Sequence, residues 1–117
     1  MTLSLGMVTI DSTDPIPLAH WWADQTGGAV VAENEGYFVI VSLGDGTPVL
    51  GFQKVEDPTP GKNRLHLDLH TGDVTGEVDR LIAAGATRIA EHEMPGLSWV
   101  TMADPDGNQF CVAPTPN

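Results

Sequence analysis

Apolar and polar side chains alternate along residues 65–70, and this alternation predicts a β-strand with two different faces. Successive side chains of a strand point to opposite sides. One face therefore carries three leucines: Leu65, Leu67 and Leu69. The other face carries three titratable groups: His66, Asp68 and His70. The leucine face is typical of a surface that packs on a core, so the titratable groups are left for a solvent-facing or ligand-facing surface.

Two helices are predicted, one after the first strand and one after the strand just described. Asp14 is followed by Pro15; aspartate is a favoured N-cap, and proline is tolerated in the first turn because no helical hydrogen bond is lost there. The first helix is therefore predicted over Pro15–Thr26, before Gly27 ends it. Asp73 opens the second helix, over residues 74–84, which also ends at a glycine.

The other segments rich in valine and aromatic residues predict strands. In the first half they are residues 3–12, 29–33, 37–43 and 48–55; in the second half they are 65–70, 89–91, 99–104 and the apolar run after Asn108. Residues 56–64 contain two prolines and no periodicity, which predicts a linker. We therefore expect one domain over residues 1–117, with a first module at about 1–55 and a second at about 65–114.

The two halves repeat the same order of elements: strand, helix, strand, strand, strand. Asp14 and Asp73 lie 59 positions apart, residues 31–33 match 89–91 at an offset of 58, and residues 38–43 match 99–104 at an offset of 61. The repeat predicts an α+β fold built from two tandem βαβββ modules. One such module leaves a face of its sheet uncovered. The two uncovered faces are therefore predicted to form a curved mixed-sheet cup.

Strand parity and the repeat offsets predict which side chains line this cup. They are Met7, Thr9 and Asp11 in the first strand, His66, Asp68 and His70 in the fifth, and Phe38, Ile40, Leu50, Phe52, Trp99, Thr101, Gln109 and Cys111 elsewhere. The set is mostly apolar with a few polar groups, which is typical of a small-molecule site. His20 and His92 are interpreted as exposed helix and loop residues.

The charge of the chain narrows the class of partner. The formal net charge is −11, with only five basic side chains, so nucleic acids and anionic membrane surfaces would be repelled. A cationic or neutral small molecule is the expected guest. Cys111 is the single cysteine, which rules out an intrachain disulfide and favours a reducing compartment. No signal peptide or membrane span is predicted, so we expect a cytoplasmic protein.

Together, the duplicated βαβββ unit, the Asp-Pro helix start, the segment GKNRLHLDLHTGD and the closing WVTMADPDGNQF resemble the glyoxalase/bleomycin-resistance/dioxygenase superfamily. Its members are also called vicinal oxygen chelate (VOC) proteins. The resemblance spans nearly the whole chain and is nearest to the short glyoxalase-like domain branch. It implies the two-module fold, and it implies a homodimer as the quaternary state.

The resemblance also implies where a metal would bind. Enzymes of the superfamily hold a divalent metal through four side chains, usually histidine, glutamate or glutamine. The matching positions in this chain are Met7, His66, Cys111 and Leu50, or a neighbour of Leu50 if the register shifts. Hard and borderline cations prefer oxygen and imidazole donors. One suitable ligand of four indicates that the metal site is lost, so no cofactor is predicted, although the sequence leaves a divalent metal open.

Three functions follow from these residues. The first is a non-enzymatic binder of a small, partly hydrophobic or cationic molecule, in which Trp99 and Phe52 form a stacking wall. The second is a metal-independent isomerase or lyase that uses His66 as an acid or base, with Asp68 orienting it, because histidine changes charge near neutral pH. The third is a metal-dependent glyoxalase or dioxygenase, which the missing ligands oppose. Cys111 is interpreted as a small buried hydrophobe, since neither an activating base nor a lowered pKa is visible from sequence.

Overall fold

The structure is a computed structural model that describes residues 5–61 and 66–115. Leu65, the last part of the predicted linker and the start of the predicted first strand lie outside the described residues. The contacts divide the chain into two compact units, Met1–Pro58 and Thr59–Asn117. In the described part of the chain, no helix is long and apolar enough to cross a membrane.

The first unit holds four strands and one long helix. They are β1 (Met7–Ser12), α1 (Pro15–Thr26), β2 (Ala29–Ala32), β3 (Phe38–Ser42) and β4 (Val49–Lys54). The strands form one sheet in the order β1-β4-β3-β2. β1 runs parallel to β4, and the other neighbours are antiparallel.

The second unit repeats this arrangement. Its elements are β5 (Leu67–Thr71), α2 (Val74–Ala83), β6 (Thr87–Met94), β7 (Leu97–Ala103) and β8 (Gln109–Pro114). The sheet order is β5-β8-β7-β6, with β5 and β8 parallel. Even the irregularities match, because the β2–β3 register shifts around Val31 and the β6–β7 register shifts around Ile89. The predicted pair of βαβββ modules is confirmed.

The two helices begin where the sequence predicts, by different local means. Pro15 occupies the first turn of α1, and the left-handed Gly27, with φ of 70°, ends that helix. The Asp14 side chain makes no capping hydrogen bond. At α2, by contrast, the Asp73 carboxylate accepts a hydrogen bond from the Gly76 N–H at 3.0 Å, which satisfies one of the free amides at the helix start.

The core of the first unit lies between α1 and one face of its sheet. Four buried helix residues face the sheet: Leu18, Ala19, Trp22 and Ala23. The buried sheet residues are Val39, Val41, Leu50 and Phe52. Burial of these large apolar side chains is the main stabilising contribution to such a layer.

Two side chains predicted to line the cup belong to this core instead. Leu50 is paired with Val8 and Val41, and Phe52 is paired with Ile10 and Val39. Directly paired residues of neighbouring strands point to the same face. Since Val39, Val41 and Phe52 are fully buried under α1, the predicted place of Leu50 and Phe52 in the cup is wrong.

The cause is a difference of one residue between two loops. The loop between β3 and β4 spans residues 43–48, whereas the loop between β7 and β8 spans residues 104–108. The offset between the repeats is 61 before these loops and 60 after them. The residue of β4 that corresponds to Cys111 is therefore Gly51 and not Leu50, because a one-residue shift moves a side chain to the opposite face of the sheet.

The shorter loop of the second unit is organised by a buried carboxylate. Asp104 is 3% exposed, and its Oδ1 accepts hydrogen bonds from the Asp106 N–H at 3.0 Å and the Asn108 N–H at 2.9 Å. Its Oδ2 accepts a third from Asn108 Nδ2 at 3.2 Å. These bonds fix the turn that brings β8 back beside β7 and so set the register of β8.

Candidate functional site

Three neighbouring strands of the second unit place three polar side chains in a row. Asp68 on β5 is paired with Cys111 on β8, and Cys111 is paired with Thr101 on β7. Their side chains therefore share the sheet face opposite the one that carries Leu67, Leu69 and the other core residues. The register alone brings a carboxylate, a thiol and a hydroxyl side by side.

His66 joins this row from just before β5. Its Nε2 lies 3.3 Å from Asp68 Oδ1, as expected for side chains two residues apart on one face. The His66 and Asp68 side chains are 48% and 62% exposed, so both are open to solvent and to a ligand. The sequence predicted this pair on a common face, and the structure places it there.

Cys111 and Thr101 form the floor beneath this pair. Cys111 is 8% and Thr101 is 9% exposed. The Thr101 hydroxyl and the Cys111 sulfur lie 3.7 Å apart, within hydrogen-bond distance for sulfur. The thiol is thus held by a polar neighbour, and its surroundings are more polar than those of an ordinary core cysteine.

An aromatic pair flanks the row on the far strands. His92 on β6 is paired with Trp99 on β7, and the two rings stack with centroids 4.9 Å apart and planes at 20°. His92 is exposed, as the sequence predicts, but the prediction that it lies in a loop is wrong, because it belongs to β6. Ala90 and His92 lie two positions apart, as side chains on one face of a strand do, and β6 continues to the Pro95-Gly96 turn. This spacing was the signal in the sequence that could have placed His92 on a strand.

These residues surround a cavity of about 350 Å³ that lies on the second unit. Its lining consists of His66, Asp68, His92, Trp99, Thr101, Gln109, Phe110 and Cys111. Among these lining residues, Asp68 is the only one with a carboxyl group. A cavity of this size is large enough for a molecule of one or two fused rings.

The donor atoms of the site do not match the metal set that the resemblance implies. Met7 offers a thioether, and Gly51, which takes the place predicted for Leu50, offers no side chain at all. Magnesium, manganese, iron and nickel are held by oxygen and imidazole donors, so the four matching positions do not fit them. A different group of ligand atoms, from His66, Asp68 and Cys111, lies within 4.8 Å of one another.

Three other predicted residues of the first unit lie on the sheet face opposite α1. Met7, Thr9 and Phe38 share this face, and an ideal Cβ at Gly51 would lie 2.8 Å from the Met7 sulfur and 2.9 Å from the Phe38 ring. The glycine thus gives these two apolar side chains room to lie over β4. A ligand-binding role for these three residues stays a prediction.

The family comparison agrees with the resemblance. The family model described as "Glyoxalase-like domain" matches residues 7–113, which include the described strands of both sheets except for the last residue of β8. No curated protein matches the chain significantly.

Three solved structures extend the fold comparison. A glyoxalase/bleomycin resistance protein/dioxygenase family enzyme from Burkholderia phytofirmans PsJN is 22% identical, with a TM-score of 0.82 over 97% of this chain and 100% of that one. A glyoxalase-related enzyme from Fulvimarina pelagi is 20% identical, with a TM-score of 0.77 over 98% and 90%. Lactoylglutathione lyase from Agrobacterium tumefaciens is 16% identical, with a TM-score of 0.70 over 97% and 95%. At these identities the likeness shows the fold alone.

Proposed function

The chain belongs to the Glyoxalase-like domain family, and from this premise we propose that it binds a small, flat, partly hydrophobic or cationic molecule without the metal used by enzymes of the wider superfamily. Binding or sequestration of this kind resembles the bleomycin-resistance branch. The observation that carries the proposal is the cavity beside the stacked Trp99 and His92 rings, with the Asp68 carboxylate at its edge.

The lining supports a flat guest. A tryptophan face backed by a second ring offers a planar surface, and stacking of aromatic rings contributes about 0.5–1.5 kcal/mol beyond the area that is buried. Thr101 and Gln109 supply hydrogen-bonding groups on the same face of the sheet. In a lining of this kind, the few polar groups orient the ligand, and burial of the ligand's apolar surface supplies most of the affinity.

The charge supports a cationic guest. Asp68 places an acidic side chain at the cavity, and the whole chain carries a formal charge of −11. A cation stacked on the Trp99 face gains both from the ring quadrupole and from the carboxylate. The long-range field of the acidic chain raises the local concentration of cations and lowers that of anions.

Binding of three probes of one size tests the proposal. N-methylquinolinium is cationic, quinoline above neutral pH is neutral, and naphthalene-2-sulfonate is anionic. We expect saturable stabilisation by the cation, reaching about 2.7 kcal/mol at a concentration of roughly 100 Kd, and about tenfold weaker binding of the anion. Differential scanning fluorimetry and tryptophan fluorescence titration measure both. No saturable binding of any of the three probes would contradict the proposal.

Two pairs of variants locate the binding. Trp99→Leu should weaken binding of all three probes about tenfold, whereas Asp68→Asn should weaken only the cation, since it removes charge and little volume. Tyr37→Leu and Asp45→Asn are the matched controls, because each removes the same kind of group from an exposed position outside the cavity lining. Equal effects of the controls would place the binding elsewhere.

A second candidate is favoured by the contact between His66 and Asp68. A carboxylate 3.3 Å from an imidazole orients the ring and stabilises its protonated form, as required of a general acid or base. The candidate is a metal-independent isomerase or lyase, and the assay is substrate turnover by the chelator-treated protein. His66→Ala should abolish that turnover, and unchanged activity would remove His66 from the mechanism.

The proposal includes a homodimer in a cytoplasmic setting. The dimer is implied by the family resemblance, and the compartment by the free thiol of Cys111. Sedimentation velocity should give a species of twice the 12.4 kDa chain mass. A monomer at all concentrations would remove the dimer from the proposal.

A further inference from the structure

The floor of the cavity holds a nucleophile, a base and a group that orients the base. The sulfur of Cys111 and ligand atoms of His66 and Asp68 lie within 4.8 Å of one another. The His66 ring contacts the Asp68 carboxylate at 3.3 Å, and the Cys111 sulfur contacts the Thr101 hydroxyl at 3.7 Å. The sequence alone showed no base near this cysteine, and the structure supplies one.

We propose that Cys111 captures electrophilic ligands covalently, and that the class of ligand is an activated alkene conjugated to an aromatic ring. This inference rests on the proposed binding function and names the kind of molecule that the same cavity would retain. The aromatic ring of the ligand lies on the wall of Trp99 and His92, and its reactive double bond reaches the floor at Cys111.

The reaction is an addition with no leaving group and no oxidant. The His66 imidazole takes the proton of the Cys111 thiol, and the sulfur electron pair forms a C–S bond to the β-carbon of the alkene. The π electron pair moves to the α-carbon and into the neighbouring carbonyl as an enolate. The imidazolium then returns the proton to the α-carbon, so the S–H group is added across the double bond.

The neighbours of Cys111 support each charge that forms in this step. Asp68 stabilises the imidazolium, as a carboxylate does in a nucleophile–histidine–aspartate arrangement. The Thr101 hydroxyl can donate a hydrogen bond to the thiolate sulfur, which is the reactive form of cysteine. His66 is exposed, so the ring is free to close the remaining distance to the thiol when a ligand excludes water.

The probe is 4-phenylbut-3-en-2-one, a flat aromatic enone, and its saturated analogue 4-phenylbutan-2-one is the non-reactive control. Reaction of the full chain is followed by intact-mass spectrometry in buffer that contains a chelator, so that a thiophilic metal cannot mask the thiol. We expect one adduct per chain, forming roughly tenfold or more faster than with free N-acetylcysteine at the same pH. The saturated analogue should slow it competitively.

Variants separate a base-assisted thiol from an ordinary one. His66→Gln should lower the adduct rate at saturating probe roughly tenfold or more; the affinity of the same variant for the saturated analogue is measured separately, so that a change in binding is not counted as a change in rate. His70→Gln is the matched control, because it makes the same substitution at an exposed histidine of β5 that does not line the cavity. Cys111→Ser should form no adduct; peptide mapping of the wild-type adduct gives the same answer independently of the folding of that variant.

The outcomes distinguish this inference from the binding function. Binding of the saturated analogue without any adduct, or an adduct that forms at the rate of free N-acetylcysteine and is not slowed by the analogue, overturns covalent capture and leaves the binding function standing. An equal loss of rate in His66→Gln and His70→Gln overturns the role of His66. Absence of both binding and adduct overturns both proposals.

Discussion

The two units share a scaffold but differ at the positions that face away from their helices. At five matched positions the first unit carries Met7, Thr9, Ile40, Phe38 and Gly51. The second unit carries, in the same order, His66, Asp68, Thr101, Trp99 and Cys111. In the first unit these five matched positions are apolar except for Thr9, and glycine stands in place of the thiol. In the second unit the same face carries an imidazole, a carboxylate, a hydroxyl and a thiol.

This difference shows that, in a duplicated fold, one copy can carry polar functional groups at positions where the other copy is mostly apolar. The faces under the helices are alike in both units, with Val39, Val41 and Phe52 in one and Met102, Phe110 and Val112 in the other. Packing keeps these positions apolar because each buried side chain contributes about 1.5–3 kcal/mol. The opposite face has no such requirement, so its residues differ between the copies. Among the described residues, the row of imidazole, carboxylate, hydroxyl and thiol occurs in the second copy alone.

The largest effect is expected where the corrected register places Phe52 in the core. Phe52→Ala should destabilise the protein by about 3–5 kcal/mol, since the side chain is fully buried between α1 and the sheet. Phe38→Ala, the same substitution on the opposite face, should cost about 1 kcal/mol or less. Urea unfolding followed by circular dichroism measures both. Equal losses of stability in the two variants would contradict the assignment of one face of this sheet to the core and the other to the surface.

The next largest loss of stability is expected in one of the two loops that set the offset between the repeats. Asp104→Ala should cost about 2–3 kcal/mol, because it leaves the Asp106 and Asn108 amides without their buried acceptor. Asp104→Asn keeps one acceptor oxygen and should cost about half as much. Asp45→Ala, in the exposed loop of the first unit, should change stability by less than about 0.5 kcal/mol. Chemical denaturation ranks the three, and a loss at Asp45 equal to that at Asp104 would contradict the difference between the loops.

A smaller effect is expected at the glycine that corresponds to Cys111. A Cβ at Gly51 would lie 2.8 Å from the Met7 sulfur, so Gly51→Ala should cost about 1–2 kcal/mol by overpacking. Phe38→Leu in the same chain should recover part of this loss. Gly72→Ala is the control, because nothing lies within 4 Å of its added Cβ. Thermal unfolding measures all three, and an unchanged midpoint for Gly51→Ala would show that Met7 and Phe38 are free to move away.

The sequence was sufficient for the parts of the fold that local chemistry sets. The aspartate and proline of α1, the aspartate of α2 and the alternation at Leu67 and Leu69 predicted the elements, and the repeat predicted the two modules. The shared face of His66, Asp68 and Cys111 followed from the same parity. These features depend on neighbours along the chain, which is why the sequence reveals them.

The errors arose where pairing across strands decides the outcome. The face of Leu50 and Phe52 depends on a loop one residue longer than its counterpart. The offset of 61, counted before this loop, no longer holds after it. The position of His92 depends on how far β6 extends along β7, which cross-strand contacts with Trp99 determine. The sequence predicted His66 and Cys111 on one face but not how close they lie, because 45 positions separate them and the pairing of β5 with β8 brings them together.

The smallest expected effect is that of divalent metals on the whole chain. With a thioether at Met7, a thiol at Cys111 and no side chain at Gly51, three of the four implied positions offer no oxygen or nitrogen side-chain donor, so millimolar manganese, nickel or magnesium should raise the melting temperature by less than about 1 °C. Purified protein should contain well under one equivalent of each by elemental analysis. Stoichiometric metal, together with a matching stabilisation, would show that the chain binds a metal in spite of these residues. Asp68→Asn and Met7→Ala would then tell the two donor sets apart: a loss of metal on substitution at Asp68 alone would place the ion at His66, Asp68 and Cys111 of the second unit.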